Sequence, residues 1–235
     1  MAIKVSVVGA TGRMGRLALE LIEAANDLEL HSALDSKSDA SLSDGADVIF
    51  EVTRLEVSQQ VVAKAIAAGQ KIVVGTSGWS AAKLAELNDL GRAAVVVIPN
   101  FSVGSMLATR FAAEAGKFFD SIEIVETHHA GKLDSPSGTA VRTAELISAN
   151  RTTPVTAPAA DQDARGQLVA GIPVHSLRLA GVSAKQDVHF GGVSELLTIS
   201  HETSSVSAYS AGILASIRFA AKAQGLHVGL DAVFK

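Results

Sequence analysis

Over residues 1–100, short β-branched apolar runs alternate with longer segments whose apolar positions recur every three or four residues. The runs at 3–10, 28–35, 46–53, 71–78 and 93–100 predict buried strands. The amphipathic segments at 15–25, 56–69 and 80–91 predict helices, with Leu17, Leu21 and Ile22 on the inward face of the first and Ser80 capping the third. Continuous apolar strands separated by helices imply a parallel sheet covered on both faces. The rhythm then changes. A helix is expected over 100–119, a strand over 121–129 and a helix over 138–150, followed by a Pro- and Ala-rich loop over 151–171. Three alternating segments, 172–181, 184–192 and 194–202, read as successive antiparallel strands, and 208–225 reads as a closing helix. No internal repeat exceeds the strand–helix alternation itself.

Composition narrows the class. The chain has 235 residues, 48% apolar and 19% charged, which suits a folded globular protein with a sizeable core. Its formal charge of −4 and its lack of any long basic run argue against nucleic acid or an anionic membrane as partner. Cysteine is absent, so disulfides, thiolate-bound zinc and thiol catalysis are excluded. No segment has the apolar length of a membrane span or a secretory leader, and a cytoplasmic protein is the simplest expectation.

The first strand runs straight into "VVGATGRMG", with Gly9, Gly12 and Gly15 at three-residue spacing where a helix opens. Glycines there let the backbone turn tightly against a pyrophosphate, and the helix N-terminus offers free N–H groups to it. Asp35 closes the second strand about 20 residues later, where a carboxylate accepts the ribose hydroxyls of NAD. Arg13 and Lys37 offer cations to a 2′-phosphate, so both NADH and NADPH are expected as cofactors. Two further strand ends, Gly75–Thr76 and Pro99–Ser102, fall where such sheets collect ligands. The predicted fold is α/β: a Rossmann-like parallel-sheet domain with an inserted α+β domain.

A hydride carrier needs an oriented substrate and a proton donor. "ETHHAGKLDSPSGTA", residues 126–140, offers candidates for both. His128 and His129 end a strand and alternate in direction, so one of them faces a given pocket. Lys132 follows in the same loop. Pro136, Ser137, Gly138 and Thr139 form a helix start suited to a carboxylate. Taken singly, each has an ordinary explanation as a strand end, a solvated lysine or an N-cap. Together they describe a site for a small anionic substrate.

The same stretch closely resembles the E-x-H-H-x-x-K-x-D-x-P-S-G-T-A signature of the 4-hydroxy-tetrahydrodipicolinate reductases, also called dihydrodipicolinate reductases. "VVGATGRMG", "DVIFEVTRLE", "VVGTSGWS", "IPNFSVG" and "IPVHSLRLAG" are similar to other segments of that family, so the resemblance spans the chain. It implies reduction of a cyclic dicarboxylate imine by NADH or NADPH in the diaminopimelate route to lysine. It also implies His128 and Lys132 as the acid/base pair. His129, Lys132, Ser137, Gly138 and Thr139 would bind substrate, and Gly9, Thr11, Gly12, Arg13, Met14, Asp35, Gly75, Thr76, Pro99, Asn100 and Phe101 would bind the cofactor. By the same resemblance, 1–102 with 207–235 form the dinucleotide domain. Residues 103–206 form the domain for substrate binding and oligomerisation, in a homotetramer.

The chain departs from that pattern at five positions. Glu51 stands for an aspartate, Val52 for a phenylalanine, Leu55 for a proline, Gly131 for a histidine and Val206 for an arginine. Two other readings compete. A different two-domain amino-acid or semialdehyde dehydrogenase leaves the His-His-Lys and Ser-Gly-Thr elements without a task. A non-catalytic nicotinamide sensor would keep the glycines but needs neither His128 nor Lys132. The remaining histidines show no ligand spacing, and no metal is expected. Trp79 is expected to pack rather than to stack on substrate.

Overall fold

The computed structural model describes every residue except Asn88, Asp89 and Lys235, and the side chains of Ala40 and Ala81 are likewise left aside. The chain forms two compact units, 1–103 with 206–235, and 104–205. In the first, β1 (Ile3–Val8), β2 (Leu28–Leu34), β3 (Val48–Glu51), β4 (Lys71–Val74), β5 (Ala94–Val97) and β11 (Gly225–Val228) make one parallel sheet in the order β11-β5-β4-β3-β1-β2. β3 and β5 are buried at every position, as strands covered on both faces must be. The edge strand β2 is mostly exposed between Leu28 and Leu34.

Helix α1 (Arg13–Ala24) packs Leu17, Ala18 and Ile22 inward, with Leu21 half-buried. Helix α2 (Leu55–Ala67) buries Ser58, Val62 and Ala65. The third expected helix is cut short: α3 runs Ala81–Ala85 behind the Ser80 cap, and Asn88 and Asp89 of the expected span lie outside the described residues. Leu84, Leu87 and Leu90 reach the core at three-residue spacing, and Leu87 N–H already bonds three residues back to Leu84. That spacing suits tight turns better than a 3.6-residue helix. The closing helix α6 spans Ser210–Ala220, shorter than the expected 208–225, and the chain after it adds an unexpected strand, β11. β11 has only four residues and alternates half-buried with exposed positions, so it carries little apolar signal.

The second unit is a mixed sheet in the order β10-β9-β6-β8-β7, built from β6 (Ser121–His129), β7 (Gln167–Val169), β8 (Ile172–Leu179), β9 (Ala184–Gly192) and β10 (Glu195–Thr203). One face is covered by apolar residues of α4 (Val103–Ala115) and α5 (Gly138–Ala149), with Ala112, Ala144 and Ile147 against Ile122, Ile124, Val174, Val188 and Phe190. The expected succession of antiparallel strands is corrected at β8. It pairs parallel to β6, and β6 separates it from β9. β6 and β8 are joined through α5, the kind of long crossover that parallel pairing requires. β7 lies inside the expected loop and pairs with β8 across Ala170–Gly171, both with left-handed backbones.

Candidate functional site

In the parallel-sheet unit the carboxyl ends of β2, β1, β3, β4 and β5 stand side by side. Along them lie Asp35, the Gly9–Gly15 loop, Val52–Thr53, Gly75–Thr76 and Pro99–Phe101. The glycine loop is tight. A Cβ on Gly15 would stand 2.2 Å from the Gly9 carbonyl oxygen, and one on Gly9 would stand 2.5 Å from that of Val52. Gly12 is the N-cap of α1; no side chain caps the helix, and its first turn has no acidic residue. That end is therefore open to an anion, and Thr11, Gly12 and Arg13 are exposed beside it. Met14 is half-buried.

Asp35 Oδ1 accepts the Lys37 N–H and the Ser38 hydroxyl, each at 2.9 Å. The bond from Lys37, then that from Ser38, holds its carboxyl below the usual aspartate value. A loop that admits only glycine at positions 9 and 15, an open helix end and an exposed carboxylate after the second strand fit a dinucleotide. Two predicted residues are used differently from their neighbours. The Phe101 ring is buried against Phe50 and under Gly75, and the Thr76 hydroxyl is buried in a bond to Glu51.

In the second unit, strand alternation puts Glu126 and His128 on the helix-bearing face of β6, with Ile122 and Ile124. Glu126 is fully buried. Its carboxylate meets His128 Nδ1 at 2.5 Å, and both its oxygens accept Arg178, each at 3.0 Å. It also accepts the Ser137 N–H at 3.2 Å. Burial raises the Glu126 pKa, but bonds from Arg178, Ser176 and His128 outweigh it and hold the group ionised below its ordinary value. For His128, burial lowers the pKa; Glu126 opposes this without cancelling it, and Lys132 and Arg178 add to the lowering.

Arg178 stands opposite His128 in the β6–β8 register and donates to the carbonyls of Lys132 and Asp134, so one guanidinium ties the buried carboxylate to the lysine loop. Lys132 Nζ is paired with Asp134 at 2.7 and 2.8 Å. Ser137 caps α5, its hydroxyl accepting the Ala140 N–H at 3.2 Å. A Cβ on Gly138 would meet nothing within 4 Å, which leaves space over that helix end. Thr139 follows, half-buried, and its carbonyl accepts the Thr143 hydroxyl.

His128 and Ser137 thus bond to Glu126, Lys132 is tied to it through Arg178, and Gly138 and Thr139 follow Ser137 into α5. His129 is not among them: it lies on the opposite face of β6, exposed, with its Nδ1 3.4 Å from where a Gly131 Cβ would stand. Glu126 and Arg178 escaped assignment from the sequence, although both stand inside quoted motifs. The two-residue step from Glu126 to His128 was the available signal. Among the described residues, no three His, Asp or Glu side chains converge as metal ligands. Trp79 is half-buried and donates to Ser58.

Comparison with known proteins identifies the family. Two family profiles match, described as dihydrodipicolinate reductase N-terminus over 3–101 and C-terminus over 104–234. The chain is 57% identical over 237 residues to the 4-hydroxy-tetrahydrodipicolinate reductase of Clavibacter michiganensis subsp. michiganensis, covering 98% of this chain and 86% of the relative. It is 40% identical over 241 residues to that of Streptomyces griseus subsp. griseus, with 97% and 96% covered. Among solved structures, the dipicolinate-bound dihydrodipicolinate reductase of Paenisporosarcina sp. TG-14 superimposes with a TM-score of 0.83 at 29% identity, over 98% of this chain and 99% of that one. The chain belongs to the dihydrodipicolinate reductase family.

Proposed function

We propose that the chain is a 4-hydroxy-tetrahydrodipicolinate reductase that uses His128 and Lys132 to bind and protonate a cyclic dicarboxylate imine. The arrangement around Glu126 carries the reading: a buried carboxylate links an imidazole, a lysine loop and the N-terminus of α5 within one unit. When bound, a reduced nicotinamide supplies the hydride. The protein holds its dinucleotide at the glycine loop and Asp35, and Arg13 and Lys37 accommodate a 2′-phosphate. One substrate carboxylate sits over Gly138 and Thr139, where α5 presents its N-terminal N–H groups. Lys132 exchanges Asp134 for substrate and offsets one of its two carboxylate charges. Glu126 fixes His128 with its Nδ1 proton inward, which leaves Nε2 to deliver a proton to the carbon beside the one that is reduced.

The Paenisporosarcina enzyme binds dipicolinate, a planar dicarboxylate, and this supports a dicarboxylate as ligand. We place the chain in the cytoplasm; no described helix is long and apolar enough to cross a membrane. A homotetramer is supported by the apolar outer face of the second sheet, where Leu177, Leu179 and Leu196 are exposed.

A coupled assay tests the activity. Substrate is generated from pyruvate and aspartate semialdehyde by a synthase, and NADH and NADPH oxidation are followed separately. Oxidation that depends on the synthase product is expected. Cofactor binding without such oxidation would favour a nicotinamide sensor.

A further inference from the structure

Glu51 is fully buried at the carboxyl end of β3, and no cation pairs with it among the described residues. Its charge is met by hydrogen bonds. Oε1 accepts the Thr53 N–H at 2.7 Å, the Thr76 hydroxyl at 2.9 Å and the Thr53 hydroxyl, while Oε2 accepts the Ser58 hydroxyl at 2.5 Å. Thr76 also accepts the Thr53 N–H at 2.8 Å, and Ser58 accepts the Trp79 indole N–H at 3.0 Å. One carboxylate thus joins the β3–α2 turn, the first turn of α2 and the segment after β4.

What it joins is the floor of the crevice. A Cβ on Gly9 would stand 2.5 Å from the Val52 oxygen and 3.1 Å from Thr53 Cγ2. One on Gly75 would stand 2.9 Å from Val52 Cγ1, and one on Gly78 would stand 3.1 Å from Leu55 Cδ2. Residues 52–55 are therefore wedged between the glycine loop and the segment 75–79. Three of the chain's departures from the family pattern fall here, and each touches that segment: Glu51 at Thr76, Val52 at Gly75 and Leu55 at Gly78.

We propose that Glu51 is a positioning residue for the cofactor: its carboxylate sets the spacing between the glycine loop and the Gly75–Trp79 segment, and through it the affinity for the dinucleotide. A buried anion that accepts four donors at once gives directional bonds stronger than neutral ones, and its loss leaves donors without an acceptor. In the sheet order β1 separates β3 from β2 and the Asp35 that follows it, so Glu51 acts on parts that NADH and NADPH share rather than on the 2′ position. The proposal rests on the cofactor reading above.

Glu51→Gln is the direct test, because it keeps the shape and one oxygen but removes the charge. The dissociation constants for NADH and NADPH are measured through emission of the single tryptophan, Trp79, alongside steady-state kinetics. Both constants are expected to rise together by about tenfold, the scale of one disrupted buried charged hydrogen bond. KM for the imine should stay within about twofold. Trp79 emission should shift, because its partner Ser58 loses the carboxylate. Cofactor constants within about twofold of the parent, or an equal rise in the imine KM, would overturn the proposal. Should Glu51→Gln not fold, Ser58→Ala removes one of the four donors. It is then expected to raise both constants about threefold, and no rise would overturn the proposal. A parent protein that binds neither nucleotide would overturn the cofactor reading itself, before any variant is made.

Discussion

At the scale of single residues, the decisive pair is Glu126 and His128. Four charged groups bear on the imidazole: Glu126 from its own strand, Arg178 from β8, Lys132 from the loop and, through Lys132, Asp134. Burial and the two cations lower its pKa, and Glu126 alone raises it. An acid works only while protonated, so kcat/KM is present at low pH and lost as pH rises through the His128 pKa, below the ordinary imidazole value. Glu126→Gln removes the raising partner. The falling limb of the kcat/KM profile should move further down in pH, and activity near neutrality should drop at least about tenfold. A limb that does not move would mean that His128 is not the acid. Period-two alternation sets Glu126 and His128 on one face, but Glu126 carries no mark of a buried carboxylate in the sequence and was not assigned there. Arg178 was hidden, because its place beside His128 follows from parallel register between β6 and β8, and the sequence suggested antiparallel neighbours there.

Elements were legible where burial is one-sided or complete and obscure where it is partial. β3, β4 and β5 are apolar apart from Glu51 and Lys71 at strand ends, as strands covered on both faces are, and their carboxyl ends lined up the predicted cofactor residues. β7 and β11 are edge strands of three and four residues with mixed exposure, too short to leave a pattern. The outer face of the second sheet is readable only with the register in hand. Leu196 stands opposite Gly191 on β9, and with Leu177 and Leu179 it faces away from α4 and α5. β10 is an unpaired edge whose outward Leu196 is 70% exposed, an arrangement that ordinarily needs covering. If the proposed tetramer forms through this face, Leu196→Asp should lower the light-scattering mass from four times 24.2 kDa to a smaller species with little change in melting temperature. An unchanged mass would exclude this face from the assembly.

For the whole molecule, the two units divide the chemistry. The parallel sheet offers a glycine loop, an ionised Asp35 and strand ends bonded to Glu51, and the mixed sheet offers the imidazole proposed as proton donor, a lysine and a helix N-terminus. Fold and family were legible because these motifs sit at strand ends, where alternation and turn chemistry speak in the sequence itself. The buried hubs beneath them were not, because Glu51 and Glu126 look like ordinary acidic residues until their donors converge. The most direct test of the account is the coupled assay run on the parent and on Lys132→Ala in parallel. Lys132 is the cation nearest to the substrate role, and its loss should lower kcat/KM at least about a hundredfold with cofactor affinity retained. A decrease of less than about threefold would contradict the assignment of the site.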